Sequence, residues 1–115
     1  MIKDKTAALH QILSYHDDWD DAIAYLLSST EECDSIVASK PALILVLRKY
    51  VSGAISADDL EEWAGFIELT DDIDHSVIED YLYALSNPEL MGEITIDKVL
   101  QMIELLSDLA SAVAR

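Results

Sequence analysis

Residues 53–69 read GAISADDLEEWAGFIEL, and residues 92–109 read GEITIDKVLQMIELLSDL. Both open with one grammar: Gly, any residue, Ile, Ser or Thr, any residue, Asp, any residue, then Leu or Val. In the first, a Ser56 hydroxyl can accept a hydrogen bond from a first-turn amide. Asp59, three residues on, places a negative charge where the helix dipole favours one. Ile55 before the cap can pack on Leu60 as a hydrophobic staple. Leu60, Trp63, Ala64 and Ile67 then recur at helical spacing. In the second, Ile94 can staple to Val99 and Thr95 can cap, but Lys98 stands where Asp59 stood, so the reciprocal box is broken. Val99, Ile103, Leu106 and Ala110 continue that helix. Gly53 and Gly92 lie 39 residues apart, near the period of some paired-helix repeats. The agreement stops at the helix starts, so the echo reads as helix-initiation chemistry used twice.

The same reading extends outward. A first helix covers about residues 4–15, with Leu9, Ile12, Leu13 and His16 on one side. A second follows Asp17 or Asp18, with Trp19, Ala22, Ile23, Leu26 and Leu27 as its stripe. A short helix is expected over residues 31–38. Ser39 and Pro41 start another, in which ALILVLRKYV is apolar almost all round and is expected to be central, with Gly53 as its C-terminal cap and Arg48 and Lys49 in its last turn. A helix over residues 74–86 carries Ile78, Tyr81, Leu82 and Leu85, and Asn87-Pro88 stops it. No strand pattern is found. With 115 residues, 51% of them hydrophobic, three Gly and two Pro, the expectation is all-α: residues 1–115 as one compact bundle or orthogonal array of about five to six helices.

Several chemistries are poorly supported. In TDDIDHSVIED a calcium loop starting at Asp72 would have Asp74 and Ser76 at its third and fifth positions. It would also put Val77 in place of the required Gly and Tyr83 in place of the required Glu. His10, His16, His75 and Cys33 have no zinc-ligand spacing. No Gly-rich phosphate loop and no local nucleophile–base pair occur. The chain is therefore expected to be no enzyme and to need no cofactor or metal. A lone Cys excludes an internal disulfide framework. The start, MIKDKTAALHQ, lacks a signal peptide's apolar run, and the longest apolar stretch, PALILVL, is far short of a membrane span. A cytoplasmic protein without membrane association is expected.

Charge is the sharpest feature. The net charge is −16, from 23 acids against 7 bases. Residues 50–97 hold no Lys or Arg and thirteen acids. Such a surface repels nucleic acid and attracts a basic protein, while the repulsion among its own charges strains the free fold. Outward positions flanking the two stripes give Asp58, Glu61, Glu62, Glu79, Asp80 and Tyr83. The intervening loop adds Asp71, Asp72 and Asp74. An exposed Tyr among carboxylates has the composition of a binding hot spot. A solvated acidic face without a partner is the plain alternative.

The segments KYVSGAISADDLEEWAGFIELTDD and YLYALSNPELMGEIT resemble the small acidic helical immunity proteins of bacteria that accompany contact-dependent or colicin-type toxins. The resemblance covers about the last two-thirds of the chain and rests on Tyr50, Gly53, Ile55, Ser56, Leu60, Trp63 and Ala64, then on the acids, then on Leu85, Asn87, Pro88 and Leu90. It implies a chain that binds a basic toxin domain, often a nuclease, over its active site or an adjacent exosite. Asp71, Asp72, Asp74, Glu79, Asp80 and Tyr83 are then the expected contacts, with Asp58, Glu61 and Glu62 behind them. Two alternatives stand beside it. One is an acidic helical regulatory module with another partner. The other is an acyl-carrier-like protein, because Asp34-Ser35-Ile36 resembles the carrier attachment site, with Ser35 as the modified residue. Glu32 and Pro41 depart from the carrier pattern. The N-terminal acids Asp17, Asp18, Asp20 and Asp21 form a further candidate contact surface.

Overall fold

Ser56 ends the chain's turn and starts the helix that organises the molecule. In the computed structural model, which describes residues 4–15, 17–30 and 35–113 and the side-chain surroundings as far as residue 107, the Ser56 Oγ accepts from the Asp59 amide at 3.1 Å. The Asp59 carboxylate accepts from the Ser56 amide at 2.9 Å. Asp thus closes the reciprocal box that Glu or Gln usually closes.

Seven α-helices occur among the described residues: α1 (Lys5–Leu13), α2 (Trp19–Ser28), α3 (Lys40–Val51), α4 (Ala57–Leu69), α5 (Glu79–Ser86), α6 (Pro88–Met91) and α7 (Ile96–Val113). Asp4, Ser39 and Thr95 cap α1, α3 and α7 through side-chain oxygens. Gly53, at φ +85°, follows the end of α3 in the left-handed conformation that an L side chain rarely adopts. The all-α class holds.

Several expectations are corrected. Ile36–Val37 forms a strand, β1, rather than the end of a short helix; residues 31–34 of that expected helix lie outside the described residues. It pairs in parallel with β2 (Ile73–Asp74), Ile36 opposite Ile73. The Ile36 amide donates to Asp72 O at 2.9 Å and the Ala38 amide to Asp74 O at 2.8 Å. Two residues per strand leave no alternation to read, so the bridge is invisible in the hydropathy pattern. The helix expected from residue 74 starts only at Glu79. Asp74 belongs to β2, and a 3-10 turn at Ser76–Ile78 intervenes. Pro88 both stops α5 and opens α6, its missing N–H being harmless in a first turn. Helix α3 buries one face, Leu43, Val46 and Leu47, and leaves Leu45 half exposed, so it is amphipathic rather than surrounded.

The core joins every long helix. Leu9 and Ile12 of α1, Leu43 and Leu47 of α3, Leu60, Trp63 and Ile67 of α4, Leu82 and Leu85 of α5, and Val99 and Leu106 of α7 are shielded from water. Each Leu or Ile so buried contributes about 1.5–3 kcal/mol against solvent exposure. The inward stripe expected of α4 is the observed one. Trp63 also finds a partner for its polar edge: its indole N–H donates to Ile12 O at 3.0 Å and Leu13 O at 3.2 Å. The last carbonyls of a helix lack intrahelical donors, and here another helix supplies one. Lys49 completes the task, its ammonium donating to Ser14 O at 2.9 Å and Tyr15 O at 2.8 Å. The C-terminal end of α1 is thus bolted to α3 and α4.

Candidate functional site

Helix α4, β2 and α5 are consecutive in the chain, and α4 and α5 form the most extensive helix pairing in the fold. With Trp63 and Ile67 facing inward, the residues at positions 58, 61 and 68 of α4 flank the α5–α6 side. Asp58 and Glu61 are exposed and line a shallow depression with Pro88, Glu93 and Ile94. Glu68 lies one step along and accepts a hydrogen bond from the Ser86 hydroxyl. A cleft of about 240 Å³ then gathers Glu68, Thr70, Asp71, Asp74, Ser76 and Glu79. Asp80 and Tyr83 stand exposed on α5 beyond it, with Tyr83 46% accessible. Leu90 and Met91 of α6 add exposed apolar surface. The result is an acidic band with aromatic and aliphatic side chains exposed beside it.

The expected contact residues are not equivalent in this geometry. Asp72 is committed to an ion pair with Lys5 at 2.8 Å. Asp74 spends its carboxylate locally, accepting from the Ser76 hydroxyl at 2.8 Å and the Ser76 amide at 3.1 Å. These bonds, the hydroxyl's foremost, hold its pKa below the usual carboxylate range. Asp58, Glu61, Asp71, Glu79 and Asp80 are exposed to solvent.

Glu62 does not join the band. It lies across α4, in a separate cleft of about 460 Å³ lined by Tyr15, Asp17, Trp19, Asp20, Lys49 and Asp59. Two of the N-terminal acids, Asp17 and Asp20, are therefore grouped with Asp59 and Glu62. Tyr15 stacks on Trp19 with ring centroids 4.7 Å apart, and Trp19 meets Phe66 edge-on. The Tyr15 backbone is left-handed at φ +50°, which is costly for a bulky residue. Burial first, and then the charges of Asp59 and Glu62, push the Tyr15 phenol up to about 12. Asp59 is held below the usual carboxylate range by the Ser56 amide, then by the Ser56 hydroxyl and the Tyr15 phenol.

Among the described residues no three metal-ligating side chains come together, and no helix is long and apolar enough to cross a membrane. Cys33, His16 and Asp34 lie outside the described residues; Ser35 is exposed just before β1. Sequence reasoning missed the cleft around Tyr15, and the reach of Lys49 across 35 residues of chain left no trace in local pattern. The chain matches no protein-family model, no curated protein and no solved structure.

Proposed function

We propose that this chain is an inhibitor that binds a basic protein domain, of the kind immunity proteins direct against toxins, with the α4–β2–α5 band as its contact surface. The observation that carries the reading is the cation-free block of residues 50–97, of whose carboxylates Asp58, Glu61, Asp71, Glu79 and Asp80 are exposed on α4, α5 and the loop between them. Opposed charge would accelerate encounter and fix orientation, and covering a basic cleft would exclude an anionic substrate without any catalysis by this chain. Asp71, Glu79 and Asp80 carry the charge on that band, with Tyr83 as the aromatic contact.

The test is native mass spectrometry of the tagged protein purified at low salt from the cell that makes it. A stoichiometric basic partner, released as salt rises and retained less by the Asp71→Asn, Glu79→Gln, Asp80→Asn triple variant, is the expected result. A bare chain, or a partner whose retention ignores both salt and the triple variant, refutes the reading.

A further inference from the structure

The two most exposed large hydrophobic side chains on the described surface are Leu69, 86% accessible, and Leu27, 78% accessible. They lie on one groove. It has a volume of about 360 Å³ and is lined by Leu26, Leu27, Phe66 and Leu69, with Asp71 and Asp72 on its rim. Leu27 was expected inside, as the eighth-residue partner of Trp19. α2 ends one residue later, and Leu27 stands exposed there. Leu69 is the last residue of α4 and is likewise carried past the core.

The charges along the groove are weighted toward the negative, with Asp71 and Asp72 against Lys5. It lies where α2 and α4 both end, and a helix C-terminus carries roughly −0.5 of an elementary charge. Neither helix has a basic residue in its last turn. Neutral hydroxyls are among the partners at these ends, with Ser28 donating to Ala24 O at 2.9 Å and Thr70 to Phe66 O at 2.7 Å. Lys5 lines the groove, but its charge is matched by Asp72. Asp71 and the two helix dipoles add negative potential there. Thr70 and Asp71 also line the acidic cleft with Glu68, Asp74 and Glu79, so an apolar depression and an acidic one adjoin along a shared edge.

We propose that this groove receives a basic segment of a protein partner that presents one or two aliphatic side chains flanked by Lys or Arg. The aliphatic groups cover Leu27, Phe66 and Leu69, and the flanking cations reach Asp71 and the neighbouring cleft. Charge complementarity selects this occupant over a second copy of the chain, because a −16 molecule repels itself. The inference rests on the reading of the chain as a binder of a basic protein and says where the apolar anchor of that partner sits.

The experiment needs no natural partner. The probes are an amphipathic peptide of Leu and Lys at helical spacing and a peptide of the same length and charge with Ser in place of Leu. Calorimetric titration into the whole protein is compared with titration into the Leu27→Ser, Leu69→Ser double variant. Both positions are solvent-exposed, so the fold persists, as a circular dichroism melt verifies. Expected is tighter binding of the Leu/Lys peptide than of the Ser/Lys peptide. The double variant should weaken the first at least tenfold and leave the second within twofold. Asp71→Asn should weaken both. If the double variant binds both peptides as the parent does, or if the Leu/Lys peptide gains nothing over its Ser counterpart, the groove is not the anchor site. A salt-sensitive natural partner could still be captured in that case, so failure here and failure of the inhibitor reading are separate results.

Discussion

Replacing Lys49 by Met should cost this fold far more than an exposed surface change would. Its ammonium donates two hydrogen bonds, to Ser14 O and Tyr15 O, at a helix end whose carbonyls have no other donor from their own helix. Met keeps the aliphatic stem and the packing against neighbouring side chains while removing the donors. Hydrogen bonds from a charged group are worth about 1.5–3 kcal/mol. Lys49 is half-buried, so water can partly re-solvate both freed carbonyls, and the two bonds together are expected to contribute about 1.5–2 kcal/mol, well under twice the figure for one. For a chain of this size that is a fall in Tm of roughly 6–8 °C. The assay is urea unfolding followed by circular dichroism, with Arg48→Met as the control. Arg48 is exposed next door on α3, so its replacement changes net charge identically without touching α1. The control should lose no more than about 0.5 kcal/mol, and both variants should keep the parental slope. Equal losses in the two variants would mean that net charge, not the capping of α1, sets the effect, and the account of how α1 is fastened would be wrong.

Two further outcomes follow from titratable groups. The Tyr15 phenol should ionise near pH 12 when followed by absorbance of the phenolate, and Asp59→Asn should bring the midpoint down, since its carboxylate is one of the charges holding the proton on. Because the unfolded phenol ionises near 10, its contribution to stability is complete below pH 10 and is lost between 10 and 12. Asp59 has the opposite sign: its folded pKa is depressed, so its contribution is complete above the ordinary carboxylate pKa and disappears as pH falls through the lower, folded value. Urea midpoints measured from pH 5 down to pH 2 should therefore fall less steeply in Asp59→Asn than in the parent.

What could be read in the chain was whatever is local. The Ser56 cap, the Gly53 turn and the stripe of α4 are decided within a few residues, and each is found where helix-start and helix-period rules place it. The β1–β2 bridge could not be read, because it joins the loop between α2 and α3 to the loop after α4, a pairing set by tertiary packing and not by propensity in either one. The acidic character of the candidate surface was legible as composition. Its division was not. Glu62 differs from Glu61 by one position, yet 100° of helix rotation sends it to the Tyr15 cleft. Asp72 and Asp74 looked equivalent to Asp71 until Lys5 and Ser76 were seen to occupy them.

The treatment of helix ends supplies a physical reason for where this molecule is left open. Lys49 reaches from α3 to the end of α1. Lys98, which takes the capping-box position that Asp59 holds in α4, instead donates to Met91 O at 2.7 Å and Gly92 O at 3.0 Å and so closes the end of α6. In both cases the chain brings its own cation to a negative helix terminus, and the site is finished internally. The ends of α2 and α4, like that of α5, have no basic residue in their last turns, and the first two converge on a groove, lined also by Lys5, whose leucines face water. With seven bases against 23 acids, the fold cannot neutralise every terminus from its own resources. These two ends adjoin the acidic band, so a cation brought there from outside would relieve helix-end charge and carboxylate repulsion together. A basic partner with an apolar anchor, as proposed above, would meet both on one edge, beside the most exposed aliphatic side chains of the described surface.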